Sequence, residues 1–137
     1  MQKFCKDNHL NVFINWINNY GADKIILGAD CLNRTIAING WLSKTNFDVV
    51  DFIEFYQSKG IEYTICTDIL KDGTLEGPAF DLYIDIMSKT KIKLIASGGV
   101  SDLQDLINLK DLGCEAAIIG KAIYEGRISL KELIDFN

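Results

Sequence analysis

One short pattern occurs three times in this chain: a glycine, any residue, an acidic residue, then a mainly apolar run. The copies are Gly21-Ala-Asp23-Lys-Ile-Ile26-Leu-Gly28, Gly60-Ile-Glu62-Tyr-Thr-Ile65-Cys-Thr67 and Gly113-Cys-Glu115-Ala-Ala-Ile118-Ile-Gly120. Each follows a segment of helical periodicity. The physical reading is a helix that ends at a left-handed glycine and turns directly into a buried strand. Repetition of that unit restricts the chain to an α/β architecture with parallel strands.

Period and punctuation place the elements. Helices are predicted over 8–19 (Leu10, Phe13, Ile14 and Ile17 on one face) and 48–58 (Val49, Phe52, Ile53 and Tyr56 inward). Trp16 reads as core or helix packing. A third helix runs through Met87 with Pro78 in its first turn, where the missing N–H costs nothing. Ser101-Asp-Leu-Gln104 reads as a capping box for a helix to Leu112, and Ser129-Leu-Lys-Glu132 as another for the last helix. Strands are predicted over 24–29, 63–66, 93–96 and 116–119, with a short hairpin arm over 34–38 inside a long loop. The apolar runs are continuous rather than alternating, which predicts strands buried on both faces. Four such strands alternating with helices form either an open doubly wound sheet or part of a (βα)8 barrel. No linker or composition break divides the chain, so residues 1–137 read as a single domain.

Composition narrows the partners. A net charge of −5 disfavours nucleic acid and anionic membranes, yet leaves local phosphate binding by backbone N–H groups open. No apolar run approaches the ~20 residues of a membrane span, and the segment after Met1 has no signal-like apolar stretch. Cys5, Cys31, Cys66 and Cys114 form no Cys-x-x-Cys pair and read as free thiols of a reducing cytoplasm. His9 is the only histidine, so neither a zinc site nor a histidine-based nucleophile is expected.

The chemistry-bearing residues fall at strand ends. Cys66-Thr67-Asp68-Ile-Leu-Lys-Asp72-Gly-Thr-Leu-Glu-Gly-Pro78 places Thr67, Asp68 and Asp72 where active sites of parallel sheets lie. Asp30 ends the preceding strand, so carboxylates from neighbouring strands can share one pocket and divide acid and base duties. Any one of them also reads as a turn or cap residue. Ser97-Gly98-Gly99 and Gly120-Lys121 end the next two strands. Glycines there let backbone N–H groups approach a phosphate, as loops after the seventh and eighth barrel strands do; two tight turns without a ligand are the alternative. The spacing is neither a P-loop nor a dinucleotide fingerprint. Trp41, in Asn39-Gly40-Trp41, sits in a loop with no periodic reason to be there and reads as a pocket wall or lid.

Taken in order, Ile-Leu-Gly-Ala-Asp30, Ile-Asn-Gly-Trp41, Thr67-Asp68-Ile-Leu-Lys-Asp72-Gly-Thr-Leu-Glu-Gly-Pro78, Ile-Ala-Ser-Gly-Gly-Val100 and Ala-Ala-Ile-Ile-Gly-Lys-Ala-Ile-Tyr-Glu-Gly126 resemble one family. It is the phosphoribosylformimino-5-aminoimidazole carboxamide ribotide isomerases of histidine biosynthesis. The resemblance implies a (βα)8 barrel, ~250 residues when complete, of which this chain resembles strands five to eight. The first half, with the strand-one aspartate that serves as general base, is absent. The implied reaction is an Amadori rearrangement of an aminoaldose to an aminoketose, with no metal or organic cofactor.

By resemblance Asp30 is the proton donor, with Asp72 a competing candidate. Thr67 hydrogen-bonds the ribose or orients the acid. Trp41 stacks on the substrate, and Gly98, Gly99, Gly120 and Lys121 bind one of its two phosphates. Lys121 has a second reading as an ordinary solvated side chain. Two alternatives stand beside the isomerase: a non-catalytic phosphate-binding half-barrel, and the sister cyclase subunit that makes imidazole glycerol phosphate, against which the Gly-Trp loop argues. Four strands with open edges expose apolar surface, so self-association is expected, two halves mimicking a full barrel.

Overall fold

The computed structural model describes residues 7–136. Helix α1 (Asp7–Tyr20) leads through a single 3-10 turn to strand β1 (Ile26–Leu32). A β-hairpin follows, β2 (Thr35–Ile38) and β3 (Ser43–Asp48), then α2 (Val49–Gln57), β4 (Tyr63–Asp68), α3 (Phe80–Lys89), β5 (Lys93–Ser97), α4 (Leu103–Leu112), β6 (Ala116–Ile118), a one-turn α5 (Lys121–Tyr124) and α6 (Leu130–Phe136). One six-stranded sheet has the order β3-β2-β1-β4-β5-β6. β1, β4, β5 and β6 are parallel and adjacent, as repeated βα units require. The hairpin pairs antiparallel onto β1.

The four expected parallel strands are all present, and the fold is α/β with an unclosed sheet. The repeat has its expected cause. Gly113 caps α4 in the left-handed conformation, its N–H bonded to the Leu109 and Lys110 carbonyls. Gly21 follows α1 at φ +91°, its N–H on the Ile17 carbonyl.

Five expectations need correction, the last of them in the core. The stretch expected as a loop after 34–38 carries a second arm, β3. Its sequence, Ser-Lys-Thr-Asn-Phe-Asp, lacks the apolar alternation that marks a strand, and pairing with β2 makes it one. Pro78 precedes the first turn: α3 begins at Phe80, behind Ala79. The α4 box is one residue later than expected, between Asp102 and Asp105: the Asp102 carboxylate accepts the Asp105 N–H at 3.1 Å, and Asp105 accepts the Ser101 N–H at 2.9 Å. Trp16 is half-exposed, because α1 turns only Leu10, Phe13 and Ile17 toward the core. The Ser129–Glu132 box forms as expected. Cys5 lies outside the described residues.

The core fills one side of the sheet. Leu27, Ala29, Cys31, Cys66, Leu94 and Ala96 point into the helices, against Val49, Ile53, Leu82, Tyr83, Ile86 and Leu109. Burial along β1 alternates strictly from Ile26 to Cys31. The expectation of strands buried on both faces therefore fails: Ile26 and Ile118, on the other face, are each about half exposed. In a closed barrel that face is the interior, and here the strands enclose none.

Candidate active site at the carboxyl ends of the parallel strands

The parallel register builds the site. Asp30 of β1 pairs with Thr67 of β4, Thr67 with Ser97 of β5, and Ser97 with Ile118 of β6. Residues in register share a face, so Asp30, Thr67 and Ser97 form a polar row on the open face, near its carboxyl edge. Thr67 and Ser97 are buried. Among the described residues no enclosed side-chain nitrogen or oxygen lacks a hydrogen-bond partner, so neither hydroxyl is an orphaned buried group.

Trp41 reaches this row from the β2–β3 hairpin. Its indole N–H donates to Asp30 Oδ2 at 2.8 Å, and its backbone sits at φ +71°. A left-handed tryptophan is uncommon and costs energy unless its surroundings hold it there. The hydrogen bond to Asp30 is one such hold.

The loop after β4, residues 69–79, is organised by its own acid. Asp68 Oδ1 accepts the Leu70 N–H at 3.0 Å, and the Asp68 carbonyl accepts from Lys71 and Asp72. Asp68 is thus a turn residue. Gly77 donates to the Gly99 carbonyl at 2.9 Å and docks this loop on the turn after β5. The dock leaves no room: a Cβ on Gly99 would lie 2.3 Å from the Gly77 carbonyl oxygen, and one on Gly98 would lie 3.2 Å from the Asp68 carbonyl oxygen. Both glycines also have φ near +90°. Their lack of a side chain is therefore demanded by loop–loop packing as well as by any anion.

A cleft of about 240 Å³ opens between these loops, lined by Asp72, Ser97, Gly98, Gly99, Gly120 and Lys121 among others. Lys121 is neither a free cation nor merely solvated. Its ammonium donates to the Gly73 carbonyl at 3.0 Å and lies 3.6 Å from Glu125, bracing the loop after β4 against α5. The anticipated residues fall into two adjoining groups. Asp30, Thr67 and Trp41 form the acid end; Asp72, Gly98, Gly99, Gly120 and Lys121 form the cleft. Ser97 belongs to both and was missed as a site residue. Strand register joins it to Thr67, and register is a long-range property absent from local pattern.

The family described as "Histidine biosynthesis protein" matches residues 5–129. Among curated relatives, the 1-(5-phosphoribosyl)-5-((5-phosphoribosylamino)methylideneamino) imidazole-4-carboxamide isomerase of Flavobacterium johnsoniae is 58% identical over 126 residues, covering 91% of this chain and 52% of the relative. The like-named protein of Flavobacterium psychrophilum is 60% identical with the same coverage. That of Parabacteroides distasonis is 50% identical, covering 91% of this chain and 53% of the relative. The chain spans about half the length of the curated relatives it matches.

Proposed function

The chain belongs to the histidine biosynthesis protein family, and from that premise we propose that it carries strands five to eight of an isomerase barrel. The substrate is a bisphosphorylated imidazole carboxamide ribotide and the reaction an Amadori rearrangement, aminoaldose to aminoketose. The observation that carries this reading is the row Asp30–Thr67–Ser97 running into the Gly98–Gly99 cleft. On this reading it sets a proton donor beside an anion site.

In this reading Asp30 gives its proton to the ribose ring oxygen as the C1–O bond breaks and the nitrogen lone pair forms C1=N, which leaves an open-chain iminium. Loss of the C2 proton to the base then gives a neutral enaminol, and protonation at C1 with loss of the C2 hydroxyl proton gives the aminoketose. Nothing is oxidised overall. Thr67, beside Asp30, hydrogen-bonds the ribose or orients the acid. Trp41 does two things: its N–H holds the Asp30 carboxylate, and its ring walls the substrate. The cleft takes one phosphate on the backbone around Gly98, Gly99 and Gly120, where amides suit an anion. Asp72 lines this phosphate cleft, a poor place for the acid, so Asp30 is preferred. The base for C2 comes from the half of the barrel that the relatives have beyond the matched region. The isomerase names of the relatives support this reading over the cyclase.

We place the working protein in the cytoplasm. Cys31, Cys66 and Cys114 are free thiols, Cys31 and Cys66 fully buried, which suits a reducing compartment. Among the described residues no helix is long and apolar enough to cross a membrane.

The test is turnover of the aminoaldose ribotide by the purified chain, alone and mixed with the amino-terminal half of the F. johnsoniae relative. The mixture should turn over, and Asp30→Asn should lower its rate by about 10²–10⁴, the usual worth of a positioned acid. A mixture as active with Asp30→Asn as without it removes Asp30 from the chemistry. A correctly assembled mixture with no turnover removes the isomerase reading.

A further inference from the structure

Tyr83 lies on α3, entirely buried, in a layer where a phenylalanine would fill the same space. Burying a phenol hydroxyl is unfavourable unless it is fully bonded, and this one is bonded to the backbone of the sheet. It accepts the Ser97 N–H at 3.2 Å, and its single proton faces the Ser97 carbonyl at 2.9 Å and the Cys66 carbonyl at 3.3 Å. Both peptide groups of Ser97 are therefore held by one oxygen, at the last register pair of β4 and β5.

We propose that Tyr83 is a positioning residue for the anion cleft, tying the ends of β4 and β5 through one hydroxyl and thereby fixing the Ser97 side chain and the turn that leaves it. The proposal rests on the reading of the Gly98–Gly99 cleft as a phosphate site. Three observations converge on it. Ser97 is the residue from which the chain enters the Gly98–Gly99 turn, so any rotation of its peptide re-aims both glycine amides. Ser97 lines the cleft, and the direction of its side chain is set by its backbone. The same helix begins directly after the loop of residues 69–79, so the loop and the turn it docks on hang from one element. Burial pushes the phenol well above its ordinary value, so the hydroxyl keeps its proton throughout the working range.

A matched pair of variants separates positioning from general stability. Tyr83→Phe removes the hydroxyl and keeps the ring. Thr64→Val removes another buried hydroxyl, one that donates to the Leu27 carbonyl at 2.9 Å and lies on the helix-facing side, outside the cleft lining. The full chain is titrated with inorganic phosphate while the amide resonances of Ser97, Gly98 and Gly99 are followed. We expect Tyr83→Phe to weaken binding about tenfold, the scale of a displaced hydrogen bond to a charged group, and to move the Ser97 amide in the free protein. Thr64→Val should bind as the parent does while melting at a similarly lowered temperature. Unchanged affinity in Tyr83→Phe, or equal losses in both variants, overturns the proposal. A parent chain whose three amides ignore phosphate overturns the phosphate reading and this inference with it. Should Tyr83→Phe not fold, amide exchange in the parent decides: Ser97 should exchange as slowly as the core of β5, and exchange at loop rates overturns the proposal.

Discussion

At the residue scale, Gly99 is the tightest point of the site. Any side chain there meets the Gly77 carbonyl at 2.3 Å and must also adopt φ +85°. The backbone conformation alone costs about 1–2 kcal/mol for an L residue, and the clash adds separation of the two loops. Gly99→Ala should therefore destabilise the chain by more than about 2 kcal/mol in denaturant titration and abolish phosphate binding. Gly28→Ala is the matched contrast, with open space around its Cβ position; it should stay within about 0.5 kcal/mol of the parent. Equal effects would mean that the dock is not what holds the cleft. The sequence marks Gly98 and Gly99 only as candidates for a phosphate turn; the close packing that demands a glycine at 99 is hidden there, since the partner that crowds it lies 22 positions earlier. Ser97 and Tyr83 were hidden for the same kind of reason. Tyr83 looks like any apolar-face residue of a helix until the strand carbonyls it touches are in place.

Among the elements, those whose evidence is local were legible. Parallel strands, glycine caps and the Ser129 box all declare themselves within a few residues. The hairpin did not, because its stability lies in contacts to elsewhere. The two-residue turn from β1 into the hairpin sets Asn33 and Arg34 at φ +51° and +65°, a left-handed pair suited to a tight antiparallel connection. Arg34 then reaches Asp48 at the start of α2 and Asp85 on α3, and Asp85 also pairs with Lys89 at 3.0 Å. This one arginine joins the hairpin to two helices. The Arg34 hydrogen bond, followed by that of Lys89, lowers the Asp85 carboxyl below its ordinary value of 3.8. A lowered folded-state value means stability that is present above pH 3.8 and lost as pH falls through the folded value beneath it. Chemical unfolding followed against pH should therefore show an acid limb below about pH 4 that Asp85→Asn makes shallower. An identical limb in the variant would show that other carboxylates govern the acid transition. At the other extreme, burial pushes the Cys114 thiol up to about 11. The raised value sets stability that is complete below the thiol's usual 9 and lost as pH rises toward 11, so Cys114→Ala should flatten that alkaline loss.

On the scale of the whole molecule, the decisive fact is a sheet with helices on one side only. In a chain that spans about half the length of its relatives, the open face keeps Ile26 and Ile118 half exposed beside the polar row of Asp30, Thr67 and Ser97. A second apolar stripe lies on α1, where Val12, Trp16 and Tyr20 recur every fourth residue, all exposed. The sheet also ends in unpaired edges at β3 and β6. Surfaces of this kind and size are covered in stable proteins. Two copies meeting through their open faces would bury the isoleucines and pair the edges. We therefore expect the purified chain to self-associate at micromolar concentration, with light scattering giving a mass above that of one chain and falling on dilution. Ile26→Lys with Ile118→Lys should shift it toward monomer while leaving the helix-facing core intact, since neither side chain points into it. Adding the amino-terminal half of a relative should compete for the same face and convert the self-associate into a one-to-one complex. A monodisperse monomer in the parent chain would mean that the open face tolerates water, and a self-associate untouched by the two lysines would mean that α1 or a strand edge carries the contact instead.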